Sequence, residues 1–277
     1  MDRISAMNDI AAYSTGARLE FSNVRKSFGN TVSVEADNLI IEPGSLTVLL
    51  GRSGCGKTTL LNLAAGLDFP DQGSVSYDNK TLQGPAPATT LIFQTHNLFP
   101  WMTAEENVAF PLLNQGMAKA DAQEYARQYL RRVGLESFFN HKPSQLSGGM
   151  RQRTALARTI ATKPRLLLLD EPFSALDMQT RRMMQHYLLN VWNDSAATIL
   201  MVTHDLHEAL ILADRIALMA SSPRGYIAEI MDIELTRPRN PEDFAFRAIQ
   251  QRLDRFLEHE TLLAEQDPAL KPTDQPT

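Results

Sequence analysis

The chain has 277 residues, of which 43% are hydrophobic and 21% charged, and its formal net charge is −5. That length supplies a core for one large or two small domains, and the composition is that of a globular protein rather than a disordered or fibrous one. The negative charge gives no general attraction to nucleic acid, the single cysteine, Cys55, excludes an intrachain disulfide, and no apolar run reaches bilayer length.

Residues 1–17 lack the continuous apolar stretch of a secretory signal and read as a flexible leader. "LEFSNV" at 19–24 has strand character, and "LTVLL" at 46–50 is an apolar run suited to a buried strand. A glycine-rich loop and a helix from about Lys57 to Ala65 come next, then a strand at "TTLIF", 89–93. From about 97 to 162 helical stretches dominate, including "AKADAQEYARQYLRRVGL" and the run after Ser147. "RLLLLD" at 165–170, "ATILMVTH" at 197–204 and "RIALM" at 215–219 bring back short buried strands with helices between them. Strands alternating with helices predict an α/β fold with a mostly parallel sheet covered on both faces. The expected layout is one domain at 18–235, a helical subdomain inserted at about 97–162, and a helical extension at 236–264 holding a short helix near Leu257. A polar, proline-containing tail at 265–277 reads as disordered.

Gly51, Gly56, Lys57 and Thr58 satisfy G-x-x-x-x-G-K-[ST] directly after a strand and at the opening of a helix, the context this motif requires. The loop formed by Gly51, Arg52, Ser53, Gly54, Cys55, Gly56, Lys57, Thr58 and Thr59 is expected to wrap nucleotide phosphates. Lys57 would reach the β- and γ-phosphates and the Thr58 hydroxyl would bind Mg²⁺. Asp170, at the carboxyl end of the leucine strand, is placed to hold that Mg²⁺, because open α/β sheets bind ligands at this edge. Glu171 follows it, where a carboxylate can polarise an attacking water. Two single polar residues end strands on the same expected edge, Gln94 after "LIF" and His204 after "ILMVT". Gln94 would touch Mg²⁺ or the water. Cys55, inside the loop, reads as a small residue chosen for fit, and a bulky adduct such as N-ethylmaleimide there would obstruct the phosphates unless MgATP protected it.

"LSGGMRQRTALARTI" at 146–160 presents a second anion-suited helix start, two glycines behind a serine. With it the sequence resembles the ATP-binding subunits of ABC transporters, from about residue 19 to 235. Six elements in the family's order carry the resemblance: the P-loop "GRSGCGKTT", Gln94, the signature "LSGGM", "LLLLDE", "SALD" ending at Asp177, and His204. It implies a P-loop NTPase of ABC type, with a mostly parallel core sheet, an N-terminal β-subdomain and an inserted helical subdomain. It also implies an ATPase using ATP and Mg²⁺ in a head-to-tail homodimer. Ser147, Gly148 and Gly149 of one chain would then contact the γ-phosphate held by the other, with Asp177 beside the nucleotide. That is what a second phosphate site is for. The sequence departs from the family at Met150, where glutamine is common, and at Phe28, which stands where an aromatic residue, often tyrosine, stacks on adenine.

The resemblance further implies integral membrane permease subunits, a separate solute-binding protein, no nucleic acid, and a peripheral position on the cytoplasmic face of the membrane. "THNLFPWMTAEENVAF", with Leu98, Phe99, Pro100 and Trp101 together, suits a pocket for a permease helix, or internal packing. "FQTHNLFPW", "DEPFSALDMQTRRMM" and "ASSPRGYIAEI" are similar to the nitrate, sulfonate and taurine importer group. Alternatives are an importer ATPase for a thiamine pyrimidine precursor and a soluble ABC ATPase without membrane partners.

Overall fold

The structure, a computed structural model, describes residues 16–266 apart from 30, 87, 94, 96, 222 and 223. In chain order the strands are β1 (Leu19–Phe28), β2 (Thr31–Ile41), β3 (Leu46–Gly51), β4 (Gln72–Tyr77), β5 (Lys80–Thr81), β6 (Thr89–Ile92), β7 (Leu166–Asp170), β8 (Thr198–Thr203), β9 (Arg215–Ala220) and β10 (Gly225–Asp232). The α-helices are α1 (Lys57–Ala64), α2 (Ala104–Asn114), α3 (Lys119–Arg132), α4 (Gly148–Ala161), α5 (Met178–Ser195), α6 (Leu206–Leu212) and α7 (Phe244–Gln266). They fall into two compact units. One holds residues 16–18, 42–45 and 86–199; the other holds 19–41, 46–85 and 200–266.

The second unit carries a sheet in the order β5-β4-β1-β2-β10-β9-β3. β1 pairs antiparallel with both β2 and β4, which makes an N-terminal β-subdomain. Its core face follows the two-residue period of a half-buried strand: Leu19 and Phe21 are fully buried while Glu20 and Ser22 are not. The register of β1 slips at residues 22–25, and there β4 comes so close that a Cβ on Gly73 would lie 2.2 Å from the Asn23 carbonyl oxygen. β3 runs parallel to β9, and both are apolar runs buried along nearly their whole length. β10 is antiparallel to β9 and meets β2 only at Gly225 and Tyr226. The single cysteine is reduced and buried in this unit.

The first unit contains the parallel pair β6 and β7 together with α2, α3, α4 and α5. α3 buries Ala122, Ala126, Tyr129 and Leu130, the i, i+4, i+7, i+8 stripe of an amphipathic helix. α2 begins in a capping box: the Glu106 N–H donates to Thr103 Oγ1 at 3.2 Å and the Thr103 N–H to Glu106 Oε2 at 2.8 Å. Glu105, 4% exposed, accepts from Arg127 Nε at 2.6 Å, so the buried carboxylate is paired.

Two expected segments extend differently. Of the leader expected at 1–17, residues 1–15 lie outside the described residues, but Gly16 and Ala17 are locked in place. Ala17 is fully buried, its carbonyl oxygen accepts from Thr198 Oγ1 at 2.6 Å, and a Cβ on Gly16 would meet the Gly44 nitrogen at 2.3 Å. At the other end α7 has 23 residues rather than a few, and it runs to Gln266, two residues into the expected tail. The rest of that tail, 267–277, lies outside the described residues. Among the α7 residues whose side chains are described, Phe246, Leu253 and Glu260 are buried, seven apart, along one stripe of the helix.

Candidate active site

The phosphate loop connects β3 to α1. Lys57 is 5% exposed, and its Nζ donates to the carbonyl oxygens of Gly51 and Arg52 at 2.8 and 2.7 Å, which centres the ammonium within the loop. Gly56 caps α1 with φ 93°, a left-handed conformation that costs glycine little, and a Cβ there would lie 2.7 Å from Val34 Cβ. No side chain caps α1, and a helix start of this kind suits an anion. Ser53, Gly54 and Thr58 are exposed, and Thr59 Oγ1 lies 3.3 Å from Ser33 Oγ. Phe28, at the end of β1 in the same unit, is 57% exposed, with Lys26 Nζ 5.5 Å from its ring centroid. Arg52 lies in the loop by its backbone, whose carbonyl oxygen accepts from Lys57. Its guanidinium turns to α7 and donates to the carbonyl oxygens of Glu260 and Thr261 at 3.2 and 3.4 Å.

Cys55 packs inside the loop. Its side chain is fully buried, burial pushes the thiol up from its ordinary range, and the nearby Lys57 ammonium offsets this only in part. The thiolate is the reactive form. N-ethylmaleimide is therefore expected to label native protein at least about tenfold more slowly than denatured protein at neutral pH. The native rate should keep rising with pH beyond the range where an exposed cysteine levels off. Fast labelling of the folded chain at neutral pH would contradict the burial.

His204 directly follows β8 and is exposed. Next to it Asp205 caps α6, accepting the Glu208 N–H at 3.0 Å, and buried Thr203 donates to Glu208 Oε2 at 2.9 Å. Arg239 closes the far end of α6, with Nη1 donating to the carbonyl oxygens of Leu210 and Ala213 at 2.6 Å each. Burial, with Arg237 adding to it, lowers its pKa to about 10.

The other unit holds the remaining candidates. Asp170 ends the fully buried strand β7 and is 6% exposed. Glu171 follows in the left-handed region at φ 46°, a conformation that costs a non-glycine residue about 1–3 kcal/mol and persists only where neighbours over-determine it. Its carbonyl oxygen accepts from Ser174 Oγ at 3.0 Å, from the Ser174 N–H at 3.3 Å and from Gln152 Nε2 at 3.2 Å. Ser147 is the N-cap of α4, exposed, with its Oγ accepting from the Met150 N–H at 3.2 Å. Gly148 has room for a Cβ, whereas one on Gly149 would lie 3.1 Å from Leu176 Cδ2. Asp177 caps α5 by accepting the Thr180 N–H at 3.0 Å, a bond that holds its carboxyl below the usual range. Gln94 lies outside the described residues. A groove of about 700 Å³ beside β2 and β10, lined by Glu35, Asp37 and Tyr226 among others, contains none of these residues.

A profile of the ABC transporter family matches residues 34–174, half of the chain. The bicarbonate transport ATP-binding protein CmpD of Synechococcus elongatus is 45% identical over 207 residues, 74% of each chain. The chain belongs to the ABC transporter family. The nitrate import ATP-binding protein NrtD of the same organism is 40% identical over 230 residues, 81% of this chain and 84% of NrtD. Among solved structures, a dimeric post-hydrolysis state of the ATP-binding cassette MJ0796 bound to ADP and Pi superposes with a TM-score of 0.71 at 31% identity. It covers 79% of this chain and 100% of its own. The protein is thus an ABC-type ATP-binding subunit and an ATPase, and its fold is that of the ABC cassette.

Within this ABC subunit one further surface stands out. No helix among the described residues is long and apolar enough to cross a membrane, yet Trp101 is 66% exposed. Its loop is rigidly held. Asn107 is fully buried; its Oδ1 accepts the Phe99 N–H at 2.8 Å, and its Nδ2 donates to the carbonyl oxygens of Phe99, Met102 and Thr103. Phe99 packs against Phe110 at 4.9 Å and Trp101 at 5.6 Å, so internal packing supports the aromatic cluster while Trp101 still faces outward. Sequence reasoning missed Asn107 and Gln152. The signal for each is helical spacing: Asn107 stands four residues after Thr103, and Gln152 three after Gly149.

Proposed function

We propose that this chain is the energy-coupling subunit of a membrane importer for a small nutrient, with nitrate the favoured substrate. The observation that carries the reading is the 40% identity to NrtD across more than four-fifths of both chains. CmpD is a bicarbonate transport protein, which points to the same size of cargo, a small planar oxyanion, and so favours nitrate over the sulfonates and taurine among the substrates that the sequence motifs suggest.

Mg²⁺ and ATP are the proposed cofactors, and the residues present suit them. The loop offers uncapped helical N–H groups and a centred ammonium for phosphates, the Thr58 hydroxyl for the metal, and exposed Phe28 for the base. Bound Mg²⁺ would supply charge neutralisation at the β- and γ-phosphates. Asp170 would hold the metal, Glu171 would take a proton from the attacking water, and His204 would assist at the γ-phosphate. Two copies would close head to tail on two nucleotides, with Ser147, Gly148, Gly149 and Asp177 of each serving the other's site. Hydrolysis removes the contacts that hold the pair closed, and that change drives the permease. Exposed Trp101, on its clamped loop at the cytoplasmic face, is the proposed permease contact, and a separate binding protein would deliver the solute.

The test is uptake. A strain lacking this gene should lose growth on limiting nitrate, and wild type but not Lys57→Ala should restore it. Bicarbonate, taurine and an alkanesulfonate serve as parallel arms. Unchanged nitrate uptake in a deletion strain with no second copy would reject the substrate.

A further inference from the structure

Gln152 has no role in the reading above, yet it is 2% exposed and both ends of its amide are used. Nε2 donates to the carbonyl oxygen of Glu171 at 3.2 Å, and Oε1 accepts from the backbone N–H of Ala175 at 3.1 Å. A carboxamide offers a donor and an acceptor side by side, so this one residue ties both ends of the 171–175 loop to α4. At one end of that loop is Glu171, held at φ 46°.

The start of the same helix packs on the same loop. Gly149 lies so near Ala175 and Leu176 that a Cβ would meet the Ala175 carbonyl oxygen at 3.3 Å. Arg151 Nη1 donates to the Leu146 carbonyl oxygen at 2.7 Å and fixes the approach to Ser147. Ser147, Gly149 and Gln152 therefore form one braced turn and a half of helix. A shift at Ser147 must be shared by the backbone of Glu171, because packed elements move as bodies rather than deforming.

We propose that Gln152 is a positioning residue for hydrolysis: it fixes the backbone that aims Glu171 and transmits to it the contact made at Ser147 by the partner chain's nucleotide. This rests on the assignment of Glu171 as base and Ser147 as the trans contact. Gln152 touches no reactant. Its function is to let Glu171 adopt its working position when the second chain arrives.

The test uses full-length protein and two substitutions beside a control. Gln152→Met keeps length and burial but removes both hydrogen bonds; Gln152→Glu keeps the acceptor for Ala175 and removes the donor to Glu171. Misaiming a reacting group by an ångström costs about 100-fold. Gln152→Met is therefore expected to lower kcat about 10- to 100-fold while the KM for ATP moves less than about threefold. ATP-dependent dimerisation, read by size-exclusion chromatography, should be retained in both variants, and Gln152→Glu, whose second carboxylate oxygen faces the Glu171 carbonyl oxygen, should lower kcat at least as far as Met. A structural role alone would instead reduce the folded fraction and scale kcat and dimerisation together. The proposal fails if Gln152→Met turns over at the wild-type rate, or if kcat falls only in step with folded protein. Glu171→Gln run in parallel separates the two levels. If it stays active the base assignment itself fails; if it is inactive while Gln152→Met is fully active, only the positioning role fails.

Discussion

Glu171→Gln is expected to leave ATP binding intact and to lower turnover by about 10²- to 10⁴-fold, the range general-base catalysis contributes. The amide matches the carboxylate in shape but cannot take a proton from water. The structure explains why this substitution should not disturb the loop. Glu171 is held in its left-handed conformation through its carbonyl oxygen, by Ser174 and Gln152, and those bonds are indifferent to the side chain. Removing hydrolysis removes the step that reopens the pair. The variant should therefore accumulate as an ATP-dependent dimer on size-exclusion chromatography, while wild type does so only transiently. Near-normal ATPase activity would defeat the assignment of the base. Inactivity without any ATP-dependent dimer would defeat the closure cycle and spare the base.

The parts of this fold that sequence reasoning reached are those where burial on both faces leaves an unbroken apolar run. β3, β7 and β8 are wholly buried, and "LTVLL", "LLLLD" and "TILMVT" announce them. β2 and β10 were not legible, because each is only half buried. In β10 exposure alternates, but residue type does not follow it: Glu229 falls on the covered face and Ile230 on the exposed one. The length of α7 is hard to read because its apolar residues do not mark its buried face: Glu260 is buried while Phe244 and Leu262 are exposed. The candidate site divides the same way. Motif spacing named the phosphate loop, the carboxylates after β7 and the serine before α4, since those depend on residue type at fixed offsets. It said nothing of where side chains turn. Arg52 reaching α7, Cys55 buried and Gln152 spanning the 171–175 loop all depend on neighbours distant in sequence.

A mixing experiment addresses the head-to-tail pairing directly. Ser147→Arg puts a long cation at an exposed helix start where the partner's γ-phosphate is proposed to sit, and it removes the hydroxyl that caps α4. Lys57→Ala removes the ammonium centred in the phosphate loop. Each variant alone should be inactive, because every composite site in its homodimer carries the lesion. In a mixture, the P-loop of the Ser147→Arg chain can pair with the signature of the Lys57→Ala chain, and that site is intact. Random pairing of equal amounts makes about half the dimers mixed, each with one of its two symmetry-related sites restored, so activity should return to at most about a quarter of wild type. The lesions are expected to complement only across chains: placing both substitutions in one chain and pairing it with wild type leaves each of the two sites of the mixed dimer with one lesion, so only the wild-type homodimers in that mixture stay active. Complementation absent under conditions where mixed dimers are demonstrated by differential tagging would overturn the trans role of Ser147. Activity in the Ser147→Arg homodimer would do so more simply, by showing that the serine end of α4 meets no phosphate.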